Sequence, residues 1–125
     1  MALSKDVMGG GFSAGQARAL GGNYAAVTAT GSAITDAAAL TASNCVVASA
    51  DGTKGVQLSG NIGDTVVVFN NSGSTLKVYP GSTSEAIAVP GTGLGTAGAA
   101  YSHTTYAVVE YKKITATQWL PNKSA

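Results

Sequence analysis

From residue 32 onward, short runs rich in Val, Thr, Ile and Tyr alternate with Gly, Asn, Ser and Asp clusters at intervals of about ten residues. Side chains of this kind favour a pleated, half-buried surface, and the clusters between them supply turns. The clearest pair is Thr65-Val66-Val67-Val68-Phe69 and Thr75-Leu76-Lys77-Val78-Tyr79. Between them stands Asn70-Asn71-Ser72-Gly73-Ser74, whose Asn and Gly tolerate positive φ, so the spacing predicts a hairpin. Pro80-Gly81 ends the second strand, since proline cannot donate to a central ladder. A second hairpin is predicted from Asn44–Ser49 and Val56–Leu58 across Asp51-Gly52-Thr53-Lys54-Gly55. Asn61-Ile62-Gly63-Asp64 reads as the turn into the Val66 strand. Tyr106–Lys112 and Thr117–Leu120 read as closing strands, after a glycine-rich loop from Pro90 to Gly98. These features predict an all-β domain over residues 32–125, a small antiparallel β-sandwich or barrel.

Residues 1–31 read differently. Gly9, Gly10 and Gly11 form a hinge with no preferred backbone state. Ser13–Leu20 then suits two turns of helix, with Ser13 as N-cap, Gln16 at the capping-box position and Gly21 as the stop. So short a helix needs a surface to pack on. This region is therefore expected to be an extended N-terminal arm, carrying one short helix and ordered by a partner.

Only 10% of residues are Asp, Glu, Lys or Arg, against about 25% in an ordinary soluble domain. The apolar share, 45%, is within the ordinary range. Too few charges remain to cover a fully solvated surface, so part of the exterior is expected to meet other subunits. A formal net charge of +1, with no basic cluster beyond Lys112–Lys113, disfavours nucleic acid. The chain has no run of about 18 apolar residues to span a bilayer. Residues 1–8 lack the apolar core of a signal peptide, so use without secretion is expected. The single cysteine, Cys45, lies in an apolar run and is expected to be a buried core thiol.

Patterns that resemble catalytic motifs fail on context. Gly11-Phe12-Ser13-Ala14-Gly15 fits G-x-S-x-G, and Asp64 and His103 follow in triad order. The elbow needs a buried strand before the serine, and glycines stand there instead. Gly93-Leu94-Gly95-Thr96-Ala97-Gly98 fits G-x-G-x-x-G, but Tyr101–Thr104 is not a helix opening. Glu110 also follows too soon to hold a ribose. One His, one Cys and six scattered acids give no zinc or calcium spacing, and no metal or cofactor is expected. His103 is expected at the surface or an interface, where it would titrate near neutral pH. Asn70-Asn71-Ser72 and Asn122-Lys123-Ser124 match the glycosylation pattern, which carries no weight without secretion. Trp119 is expected to anchor the core beside Leu120. The competing reading is a carbohydrate-stacking platform with Tyr101, Tyr106, Tyr111 or Trp119 exposed.

The ordered pieces Gly55-Val56-Gln57-Leu58, Gly63–Asn70 and Leu76-Lys77-Val78-Tyr79-Pro80 resemble a recurring module of small tailed-bacteriophage structural proteins. Ala17–Gly22 upstream, and Ala100-Tyr101-Ser102 and Ala116–Leu120 downstream, extend the similarity over about residues 16–120. One departure is the Pro90–Gly98 loop, where the family has a shorter stretch leading into an AG-type turn; Ser102-His103-Thr104-Thr105 stands in place of that turn. The resemblance implies a β-rich virion protein, a capsid decoration (cement) or head-fibre protein, often homotrimeric and without a catalytic set. It implies the major capsid protein as partner and a place on the capsid exterior after synthesis in the host cytoplasm. On this reading Phe12, Gln16, Arg18, Leu20 and Tyr24 of the arm would contact the capsid. The alternative is a receptor- or carbohydrate-binding fibre module.

Overall fold

Ten strands and no helix make up residues 24–123, the part of the chain that the computed structural model describes. In chain order they are β1 (Tyr24–Thr28), β2 (Ala38–Ala39), β3 (Asn44–Ser49), β4 (Gly55–Gln57) and β5 (Thr65–Asn70). There follow β6 (Leu76–Tyr79), β7 (Ala86–Ile87), β8 (Tyr101–His103), β9 (Val108–Thr115) and β10 (Gln118–Lys123). They build a six-stranded sheet ordered β1-β3-β5-β9-β10-β7 and a four-stranded sheet ordered β2-β4-β6-β8. The hinge at Gly9–Gly11, the Ser13–Leu20 helix and the G-x-S-x-G pattern lie outside the described residues.

Successive strands from β1 to β9 alternate between the two sheets, so the chain winds rather than folding back on itself. Tyr24 pairs with Asn44 and Asn44 with Val67, all in parallel register, about one return every twenty residues. In the other sheet Ala38 pairs with Val56 and Val56 with Val78, again in parallel. Among the paired strands of the described residues, antiparallel pairing comes where the winding closes: β8 on β6, β9 on β5, and β10 on β9. The sheets are mixed, which corrects the expectation of an antiparallel architecture.

Both predicted hairpins are corrected as well. The turns are where the sequence put them, but each carries the chain from one sheet to the other. β5 lies between β3 and β9, whereas β6 lies between β4 and β8. The reason is visible in β5 itself: Val66 and Val68 are buried and Val67 and Phe69 half-buried, a pattern that suits a central strand with two neighbours. In the same way Asp51 accepts hydrogen bonds from the Thr53 and Lys54 amides, and the turn so formed leads β3 in one sheet to β4 in the other. The two closing strands are found as predicted, and they pair as a hairpin, β9 with β10; the Gly63 turn, with φ 95°, enters β5 as predicted. Tyr106, expected in a strand, instead occupies the Thr104–Ala107 turn with φ 58°.

The first strand begins at Tyr24. Ala29 is buried, and Thr30 exchanges backbone hydrogen bonds with Gly55. Residues 24–31, read from sequence as the end of the arm, therefore lie within the sheet framework.

One apolar cluster draws on both sheets. Cys45, Val47, Val66, Val68, Val109, Tyr111 and Trp119 come from the larger sheet, and Val56, Leu76 and Val78 from the smaller. Leu40 and Leu58 fill it from the ends of β2 and β4. Each fully buried large side chain contributes about 1.5–3 kcal/mol. Trp119 is fully buried, as expected, and Cys45 is a buried thiol donating to the Ala42 carbonyl at 3.3 Å. Burial pushes the Cys45 thiol pKa up.

Candidate functional site

Because side chains alternate across a strand, the register of the six-stranded sheet sorts its residues into two faces. Ala25, Cys45, Val68 and Val109 stand side by side on the core face. One residue along, Ala26, Val46, Phe69 and Val108 form a second row across four strands, on the opposite face. None of these four is fully buried: Val46 and Phe69 are half-buried, and Ala26 and Val108 are exposed. The adjacent outward row is Tyr24, Asn44, Val67, Glu110 and Asn122. A further row holds Thr65, Lys112 and Leu120.

The first of these rows is wholly apolar, and the other two set Val67 and Leu120 among polar residues, with Glu110 and Lys112 the charges among the rows just named. A solvated face of a sheet is ordinarily polar, and a contiguous apolar one marks a contact surface. Its sequence signal was the unbroken Thr65–Phe69 run. A strand in which Val66, Val67, Val68 and Phe69 are all apolar has two apolar faces to cover.

Tyr24 falls on this face, 67% exposed at the sheet edge. It is the one predicted arm contact whose position is described; Phe12, Gln16, Arg18 and Leu20 lie outside the described residues. The aromatic platform is not brought together. Trp119 and Tyr111 are fully buried, and Tyr101 packs edge-on against Tyr111 with ring centroids 5.8 Å apart. Of the four aromatic residues proposed for stacking, Tyr106 is the exposed one.

His103 is buried, which corrects its expected surface or interface position. Its Nε2 lies 2.7 Å from the Ala107 carbonyl and its Nδ1 2.9 Å from the Tyr111 hydroxyl. A carbonyl only accepts, so Nε2 carries the proton and Nδ1 accepts from Tyr111. Burial holds the imidazole below its usual pKa and raises that of Tyr111 well above the usual value. With both ring nitrogens committed, His103 has none left for Asp64. The Asp64 carboxylate instead accepts the Asn61 amide at 2.8 Å.

The stretch after Gly98 enters strand β8, not a helix, so the G-x-G-x-x-G run is a loop. It is tied down by the Gly98 amide donating to the Glu85 carbonyl and by Gln118 Nε2 donating to the Leu94 carbonyl. Two open depressions of about 400 Å³ each remain. One is bounded by Leu40, Ser43, Ser59, Asp64 and Thr65, the other by Val89, Pro90, Tyr101, Ser102 and Lys123. In the first, the Ser59 hydroxyl donates to the Leu40 carbonyl at 2.7 Å. Among the described residues no group of three His, Cys, Asp or Glu is placed to hold a metal, and no helix is long and apolar enough to cross a membrane.

The chain matches no family model, no curated protein and no solved structure.

Proposed function

We propose that the protein is a non-enzymatic structural subunit of a tailed-phage virion, a capsid decoration protein that assembles as a homotrimer and binds the major capsid protein on the capsid exterior. The observation that carries this reading is the outer face of the six-stranded sheet, where one uncharged apolar row, Ala26, Val46, Phe69 and Val108, crosses four strands. A face of that composition gains free energy by being covered. The two sheets and their shared cluster fit a small β-sandwich as the body of such a subunit. The residues before Tyr24 serve, on this reading, as the arm that meets the shell, and the resemblance noted in the sequence supports the same assignment.

Co-sedimentation with expanded phage heads tests the proposal. The full chain should pellet with heads and raise their disruption temperature, and a chain lacking residues 1–22 should fold, assemble and fail to pellet. Undiminished pelleting of the truncated chain would refute the arm's part. Absence of pelleting by the full chain would refute decoration.

A second reading, a carbohydrate-binding fibre module, is favoured by Tyr106 alone. Its ring is 64% exposed on a backbone with φ 58°, a conformation costly for a bulky residue and common at binding sites. A glycan array with the wild type and Tyr106→Ala distinguishes this reading from the first.

A further inference from the structure

The chain from Asn70 to Thr75 and from Ser102 to Ala107 contains no Asp, Glu, Lys or Arg, and its histidine, His103, is buried. The two segments are bonded into one tip. The Tyr106 amide donates to the Asn70 carbonyl at 2.8 Å, the Asn70 side chain to the His103 carbonyl at 3.2 Å, and the Thr105 hydroxyl to the Ser72 carbonyl. Lys123 Nζ donates to the Thr104 hydroxyl at 3.3 Å, which sets one charge at the margin. Tyr106 stands at the summit. Among the described residues it is the one non-glycine with positive φ, 58°, in a turn closed by the Ala107 amide on the Thr104 carbonyl. Glycine is the ordinary occupant of the third position of such a turn. A tyrosine there is strained, and at 64% exposed it gains little from burial in return. Its hydroxyl lies 3.9 Å from where a Cβ on Gly73 would stand, so the side chain reaches over the neighbouring loop.

The polar groups of the tip are largely bonded to one another. The Asn70 amide and the Ser72 and Thr105 hydroxyls all find partners within it. Such a surface loses little when water is removed, which suits a protein contact. A sugar needs donors and acceptors that are still free. An axis of rotation brings the same residues of successive copies together, so a charge beside it faces its own sign. Tyr, Ser, Thr, Asn and Gly meet their own kind without that repulsion, about a threefold axis as about any other. We propose that this tip is where three copies of the chain meet, their Tyr106 rings gathered about the axis. The inference rests on the assembly reading above, names the residues at the centre of the assembly and takes Tyr106 into it. Tyrosine offers a large, stiff, amphipathic contact at small entropic loss, and the bonded turn holds it in place beforehand. Val27 is level with Val47 and Asn70, whereas Tyr24 lies three residues back along β1. Copies joined at their tips therefore keep their Tyr24 ends apart, as suits a subunit whose arms reach separate places on a shell.

Sedimentation velocity of the full chain over a concentration series, with thermal unfolding of the same samples, tests this. The wild type should sediment as a trimer. Tyr106→Lys gathers like charges about the axis and should raise the concentration for half-dissociation at least about tenfold. Tyr106→Gly frees the turn of its strain and removes the anchor. At dilutions where all are monomers it should unfold at no lower temperature than wild type, yet its trimer should dissociate at least about tenfold more readily. A residue that served only its own turn would not split the two readouts. A wild type that sediments as anything but a trimer overturns this contact and the trimeric assembly together. A trimer indifferent to both substitutions that still pellets with phage heads overturns the contact and leaves decoration standing. A trimer that both substitutions dissociate, but that ignores heads, leaves the contact and removes decoration. A wild-type monomer that binds a glycan through Tyr106 would give the tip to the carbohydrate reading and overturn this one.

Discussion

The indole Nε1–H of Trp119 donates to Oε1 of Glu85 at 2.7 Å, inside the sheet framework and away from water. The same carboxylate oxygen lies 3.4 Å from Lys113 Nζ, and Oε2 accepts from the Ser82 hydroxyl at 3.2 Å. Lys113 Nζ in turn sits 5.8 Å from the Trp119 ring centre. A buried carboxylate is tolerable when its oxygens are all engaged, and here the core's largest side chain supplies one of the donors.

Trp119→Phe keeps most of the ring volume and removes that donor. It should cost about 1.5–3 kcal/mol, the worth of a hydrogen bond to a charged group. Trp119→Ala adds a cavity and should cost about 3–5 kcal/mol. Urea denaturation at neutral pH checks both, and a Phe variant as stable as wild type would show the indole bond to be immaterial.

His103 gives the protein a defined acid response. The unfolded imidazole titrates near 6.5, and the folded one lies lower because burial disfavours its charged form. Above pH 6.5 the group is neutral in both states and its native interactions count in full. As pH falls from 6.5 through the lower folded value, the unfolded state binds the proton first and stability is lost. Denaturation midpoints measured between pH 7.5 and 5 should fall for wild type and flatten for His103→Gln. Tyr111→Phe, which leaves Nδ1 without its donor, should cost about 1–3 kcal/mol at pH 7.5.

How much of this was legible beforehand divides cleanly. Runs such as Thr65–Phe69 and Leu76–Tyr79 carry their strand character locally, and Gly63 and Pro80 carry their turns locally. Which strand lies beside which is decided by the core. Val68 and Val78 each recur on a twenty-residue winding that leaves no repeat in the sequence, because only the register is periodic and not the residue types. His103 looked like a surface residue because it stands among Ser and Thr. Its burial depends on Tyr111 and on the Ala107 carbonyl, and no pattern of neighbours announces those partners. The outer face of the sheet was half legible: the all-apolar strand was seen, and its second face was not counted.

Asn70 should prove the residue on which two loops depend. Its side-chain amide donates to the carbonyls of Ser74 and His103 at 2.8 and 3.2 Å, and its oxygen accepts from the Ser72 amide and hydroxyl. The Thr105 hydroxyl donates to the Ser72 carbonyl, joining the same two loops. Asn70→Asp puts a carboxylate against those carbonyls and should cost more than Asn70→Ala, itself about 1–3 kcal/mol. Thermal unfolding of the pair checks the order.

Two glycines of the same loop separate strain from collision. Gly91 has φ 81° with open space around a notional Cβ, so Gly91→Ala should cost about 1–2 kcal/mol for the left-handed backbone. Gly95 has φ 84°, and a Cβ there would collide with the Ile87 carbonyl oxygen. Gly95→Ala should therefore cost clearly more and displace the loop from β7. Equal midpoints for the two variants would contradict the packing of this loop.

The late position of β9 in the chain has a consequence for synthesis. It is the ninth strand to emerge, yet it sits mid-sheet and supplies Tyr111 and Val109 to the core, while Trp119 arrives only with β10. A nascent chain still lacking these residues has β5 bare along one side and an uncapped interior, so the sheet cannot lock until residues 108–119 have emerged. Ribosome-tethered fragments ending before residue 108 should remain protease-sensitive, with the free edge of β5 uncovered throughout that interval.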